Sequence, residues 1–154
     1  MDQNKDVIYM RGVALEYKKE LLPLLRYLPY LEERSGFDPS TNYGGQENGN
    51  NTLCFPIFDG TLLSFVKEAG QTSFMDSNYS YVYSRNRINT PDDERKLIAS
   101  ATINEWGILC GILTRYVRGG MTKAYLWRDG MRESIFLLVL TKMKEIVEFW
   151  DRPV

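Results

Sequence analysis

Apolar positions recur at helical spacing over most of this chain, and runs of polar, Gly and Pro residues separate them into elements. In VALEYKKELLPLLRYLPYLEER, residues 13–34, Leu15, Leu21, Leu22, Leu25, Leu28 and Leu31 fall near helical spacing with charges between them. Pro23 breaks or restarts this helix, because proline lacks a backbone donor and clashes with the preceding turn. Pro29 distorts the last turn or opens a new short helix, and Ser35-Gly36 ends the element. The stretch 36–51, GFDPSTNYGGQENGNN, has almost no apolar content and is expected to be a flexible polar surface loop.

The apolar run 52–58, TLCFPIF, reads as a short strand, held to a sheet edge by Pro56. Asp59 or Thr61 can cap a following helix, LLSFVKEAG, which Gly70 closes. In SNYSYVYSRN the alternation of Tyr79, Tyr81 and Tyr83 has the period of a strand that could pair with 52–58.

Beyond this point the helix boundaries are better marked. Thr90 is an N-cap followed by Pro91 and by Asp92, Asp93 and Glu94, acids that suit the first turn and its dipole. Thr102 and Glu105 have capping-box spacing and restart a helix that places Trp106, Leu109, Cys110, Leu113 and Val117 on one face before Gly119-Gly120. A two-turn helix over 122–128 is expected to start after those glycines and to stop at Gly130. The last helix, MRESIFLLVLTKMKEIVEFW, carries Ile135, Leu138, Val139, Lys142, Met143, Ile146 and Phe149 on one stripe. Phe136, Leu137 and Leu140 widen it, which makes this helix central to the core or to a subunit contact. The expectation is a compact single domain over residues 1–154, mainly α, with about five helices and room for a small two-stranded β ribbon.

Composition agrees with one globular domain: 154 residues, 44% hydrophobic and 25% charged, are enough for a core that needs no staples. The net charge of −1 gives the whole molecule no general grip on nucleic acid or anionic membranes, so nucleic acid ranks well below protein as a partner. The opening segment MDQNKDVIYMRG is acidic where a signal peptide is basic, and no apolar run approaches a membrane span; a cytoplasmic location is expected. Cys54 and Cys110 lie in apolar surroundings, as buried thiols do, and neither a disulfide nor a metal role is expected.

Histidine is absent, which removes the usual general base, the usual partner of a Ser or Cys nucleophile and the commonest zinc ligand. No Walker loop, GxGxxG or CxxC replaces it. Adjacent acids such as Asp92, Asp93 and Glu94 point in different directions on a helix, so no metal and no cofactor is expected. Two surfaces could hold a partner. Arg115, Arg118, Lys123 and Arg128 cluster around Gly119-Gly120, where a helix N-terminus could receive an anionic metabolite or nucleotide; arginines in a last turn also serve simply as helix-end charges. Tyr79, Tyr81 and Tyr83 with Arg85 and Arg87 compose an aromatic and arginine surface of the kind enriched in binding hot spots, although a packed sheet face would give the same pattern.

The ordered blocks LLRYLPYLEE, FPIFDG, YSYVYSRNRI, ILTRYVRGGMTKAYLWRDG and IFLLVLTKMKEIVEFWD resemble a family of small bacterial proteins classed as a domain of unknown function. The resemblance covers most of the chain apart from the polar loop. It implies a mainly helical cytosolic protein of bacteria, phages or mobile elements, and it brings no activity. The expected function is therefore a non-catalytic interaction or regulatory protein that binds another macromolecule, in one version itself as a homodimer, through the aromatic and arginine surface. The alternative is a binder of anionic small molecules at the Gly119-Gly120 turn.

Overall fold

The computed structural model describes residues 2–43 and 55–151. The described chain is mainly helical, and it holds eight α-helices rather than about five. The increase comes from breaks that sequence spacing had merged and from one strand that is a helix. The first helix, α1 (Asp2–Leu25), starts well before residue 13, because Met10, Val13 and Ala14 extend the same apolar stripe towards the N-terminus. Pro23 sits inside its last turn rather than ending it. The buried stripe runs Ala14, Leu21, Leu24, Leu28 and Leu31, with Tyr17 half-buried between the first two, while the expected core residues Leu15 and Leu22 are exposed. Helix α2 (Leu28–Arg34) follows with Pro29 in its first turn and ends at Ser35, before Gly36 at φ +92°.

Within the segment expected to be a loop, β1 (Ser40–Tyr43) runs antiparallel to β2 (Phe55–Phe58), with Ser40 opposite Phe58. This is not the pairing expected from the sequence, which joined 52–58 to the tyrosine segment. The remainder of the expected loop, and Cys54, lie outside the described residues. Helix α3 (Gly60–Ala69) has no side-chain cap from Asp59, because that carboxylate accepts a hydrogen bond from Tyr30 at 2.8 Å.

The tyrosine segment is helix α4 (Tyr79–Arg85), a correction to the strand reading. Tyr79 and Tyr83 are separated by four residues and Tyr79 and Val82 by three, so one helical face collects them, and Tyr81 is left 60% exposed on the other. Glycine makes the docking possible: a Cβ on Gly111 would come 2.9 Å from Val82 Cγ1, so α4 seats against α6 only over a bare backbone. Thr114 secures the approach to α4 by accepting from the Asp76 amide at 2.9 Å.

Helix α5 (Pro91–Ser100) begins with the expected cap; Thr90 accepts from the Asp93 amide and Asp93 reaches back to the Thr90 amide. A 3-10 turn (Ile103–Glu105) carrying the Thr102 and Glu105 capping box leads into α6 (Trp106–Gly119). Helix α7 spans Tyr125–Arg132, three residues later than expected, and passes through Gly130 rather than stopping there. Helix α8 (Ile135–Trp150) is central to the core, contacting α1, α2, α5, α6 and α7. Its residues Ile135, Phe136, Val139, Leu140 and Met143 are fully buried, as the wide apolar stripe required. A chain of edge-on rings runs through the core from Tyr27 to Phe65, Phe136 and Tyr116, with centroids 5.3–6.1 Å apart. No helix among the described residues is long and apolar enough to cross a membrane.

Candidate functional site

The ring chain ends at a buried charge. Glu94 lies one turn before Ile98 on the inner face of α5, and it is only 1% exposed. A carboxylate placed there must be compensated, since desolvating an unpaired ion costs several kcal/mol, on the order of the whole stability margin of a small domain. Compensation comes from α4 and α6. Tyr116 donates to Glu94 Oε1 at 2.6 Å, Tyr83 donates to Oε2, and Arg115 Nη1 reaches Oε2 at 3.3 Å. The guanidinium lies over the rings of Tyr83 and Tyr116, 5.2 and 5.1 Å from their centroids. Burial, followed by the neighbouring Glu94, raises the titration of both phenols above the ordinary tyrosine value. Both tyrosines therefore remain protonated donors over the whole physiological range.

The three consecutive acids thus separate completely. Asp92 pairs with Arg95 at the surface, Asp93 closes the cap, and Glu94 turns inward. Among the described residues no group of three potential ligands could hold a metal ion.

The structure brings together two of the residues singled out from the sequence, Tyr83 and Arg115. The others are dispersed: Tyr81, Arg85 and Arg87 are exposed around α4, and Tyr79 packs near Gly119. Arg118 donates to the Gly70 carbonyl at 3.3 Å and so serves the C-terminus of α3. Lys123 is exposed, and Arg128 Nε is buried 3.9 Å from Asp129, beyond hydrogen-bonding reach.

The Gly119-Gly120 turn has a packing role. A Cβ on Gly120 would come within 2.0 Å of the Trp127 ring, and one on Gly119 within 2.8 Å of Leu126. That approach lets Trp127 Nε1 donate to the Val117 carbonyl at 2.9 Å. The amides expected to face an anion are engaged within the turn, Lys123 with Gly119 and Leu126 with Lys123, both at 2.9 Å. Sequence reasoning missed Glu94, Tyr116 and Asp129 as site residues. The signal for Glu94 was its separation of four residues from buried Ile98, which sets it on the core face.

A second feature lies at the opposite end of α8. A groove of about 680 Å³ opens between the N-terminal half of α1 (Asp6, Tyr9, Met10), the turn 101–104 and the end of α8 (Lys142, Ile146, Phe149, Trp150). Of its lining, Tyr9 and Phe149 are 69% and 57% exposed, and Ile8, the residue before Tyr9 on α1, is 71% exposed. Asp6 and Glu145 are among its lining residues; Lys142 is turned to the Ala99 carbonyl at 3.1 Å and to Glu145 at 3.2 Å. Soluble domains rarely leave adjacent large apolar side chains at a concave surface without using them.

Compared with known families, with curated proteins and with solved structures, the chain matches none.

Proposed function

We propose that this chain is a non-catalytic interaction or regulatory protein, and that its docking surface is the groove between α1 and α8 rather than the α4 tyrosines. The observation that carries this reading is the groove itself, largely apolar and lined by the exposed Tyr9 and Phe149. Its occupant is an amphipathic helical segment of another protein, with aliphatic anchors for the groove and basic residues facing Asp6, since Lys142 already pairs with Glu145. A second copy fits less well. The exposed parts of Tyr9 and Phe149, rings of about 150–250 Å² each, offer roughly 200–300 Å². A stable protein partner covers about 800 Å² per side. The resemblance of the sequence blocks to small bacterial proteins supports a bacterial, phage or mobile-element setting.

The test uses two synthetic helical peptides with leucines at i, i+3, i+4 and i+7, one flanked by lysines and the other by glutamates, followed by fluorescence anisotropy with the full chain. The lysine-flanked peptide should bind at least about tenfold more tightly, a difference of about 1.4 kcal/mol. Tyr9→Ser and Phe149→Ser should each weaken it, and Tyr81→Ser and Arg85→Ala should not. Equal affinity for both peptides, or loss on the α4 substitutions alone, overturns the reading. A dimer in light scattering that Tyr9→Asp dissociates would assign the groove to a second copy instead.

A further inference from the structure

Next to the Glu94 cluster lies a pocket of about 210 Å³, walled by α4, the linker 88–91, α5, α6 and α7. This space is about a third of the groove's and suits a small molecule rather than a protein segment. Its polar walls differ in what they still offer. Glu94 accepts from Tyr83, Tyr116 and Arg115 and has no oxygen left bare. Arg115 Nη1 donates to Glu94 at 3.3 Å and to Tyr116 Oη at 3.2 Å, and the guanidinium also interacts with Tyr83, which still leaves part of its set of five N–H donors. Asp129 approaches no cation closer than Arg128 Nε at 3.9 Å among the described residues. The side chains of Arg115 and Asp129 are 35% and 38% exposed, so both can meet a ligand at the pocket without leaving water entirely.

Charge selects the ligand. Glu94 and Arg115 cancel, and Asp129, offset only by Arg128 Nε at 3.9 Å and not hydrogen-bonded to it, brings a second carboxylate to the pocket. A bare anion is repelled by Asp129, and a bare cation leaves the guanidinium donors unanswered. A molecule with both groups answers each, and Ile88 and Pro91 offer an apolar wall beside them.

We propose that this pocket is a binding site for a small zwitterion, an α-amino acid with a short aliphatic side chain, its carboxylate on the Arg115 fork and its ammonium on Asp129. The site is independent of the groove, lying among α4–α7 rather than between α1 and α8.

The experiment is a titration of the ¹⁵N-labelled full chain with glycine, L-alanine and L-valine, followed by amide shifts. N-acetyl-L-valine lacks the ammonium and L-valinamide lacks the carboxylate. L-Valine is expected to give saturable shifts at Ile88, Asn89 and Asp129, and both derivatives are expected to bind at least about tenfold more weakly. Asp129→Asn should lose binding by a similar factor with an unchanged melting temperature, which keeps the result readable if Arg115→Gln fails to fold. Absence of saturable shifts at ligand concentrations about ten times a millimolar Kd overturns the proposal. So does equal binding of L-valinamide, which would make this a cation site, or shifts confined to the α1 and α8 groove.

Discussion

The two ends of this molecule reverse the ordinary distribution of polar and apolar groups in opposite senses. On α5 the Glu94 carboxylate is drawn into the core with the buried Tyr116 phenol and the half-buried Tyr83 and Arg115; along α1 and α8, Ile8, Tyr9 and Phe149 keep more than half of their surface exposed. Folding explains the first reversal but not the second. The cluster satisfies its own hydrogen bonds and ties α4, α5 and α6 together, whereas Ile8 and Tyr9 keep more than two-thirds of their surface in water and bury little against the fold. A buried polar network can therefore be structural and still border a site, while an apolar groove points outward to a partner.

The largest effect should come from removing the buried carboxylate. Glu94→Ala leaves the part-exposed Arg115 without its counter-charge and the phenols of buried Tyr116 and half-buried Tyr83 without an acceptor, and it is expected to cost about 2–3 kcal/mol in urea denaturation. Asp92→Ala, on the same turn but at the surface, should change stability by less than about 0.5 kcal/mol. Similar small losses for both would show that α4, α5 and α6 do not depend on the cluster, and the contrast between the two ends would collapse.

The capping of α5 and of the turn before α6 was legible because Thr90 with Asp93 and Thr102 with Glu105 are local signals that need no tertiary context. The central role of α8 was legible for a similar reason: an apolar stripe wider than one face cannot be covered by solvent. The α4 segment was misread because tyrosines at 79, 81 and 83 satisfy a period of two, while Tyr79, Val82 and Tyr83 also satisfy the helical period. What decides between them is the bare backbone of Gly111 on another helix, which one sequence cannot reveal. Glu94 was concealed by its neighbours, since Asp92 and Asp93 already accounted for acids in a first turn. The juxtaposition of Arg115 with Asp129 depends on how α7 folds back over α6 after Gly120, and the groove depends on a helix that begins before residue 13.

A smaller effect should appear on the alkaline side. Burial pushes the Cys110 thiol up from 9.0 to about 12, with the charges of Asp76 and Glu20 adding to it, and the phenols of Tyr83 and Tyr116 are also raised. Above pH 9 the unfolded chain releases these protons while the folded chain retains them. The unfolded state then binds fewer protons, so the stability present below pH 9 declines as pH rises towards 12. Urea midpoints measured from pH 8 upward should fall, and Cys110→Ala should flatten the first part of that decline. A flat profile in the unsubstituted protein would mean that the thiol and the phenols meet solvent in the folded state, and the polar end would lose its distinction from the surface.

The smallest change in stability is expected at the groove, and there its smallness is informative. Ile8 and Tyr9 are more than two-thirds exposed, so replacing either by serine removes little apolar area from a buried environment. Ile8→Ser and Tyr9→Ser should leave the unfolding free energy within about 0.5 kcal/mol of the parent. If either substitution instead destabilised the chain as a core truncation does, by about 2–5 kcal/mol, its side chain would be packing inside the folded monomer. The groove would then be part of the core, and the apolar end would no longer call for a partner.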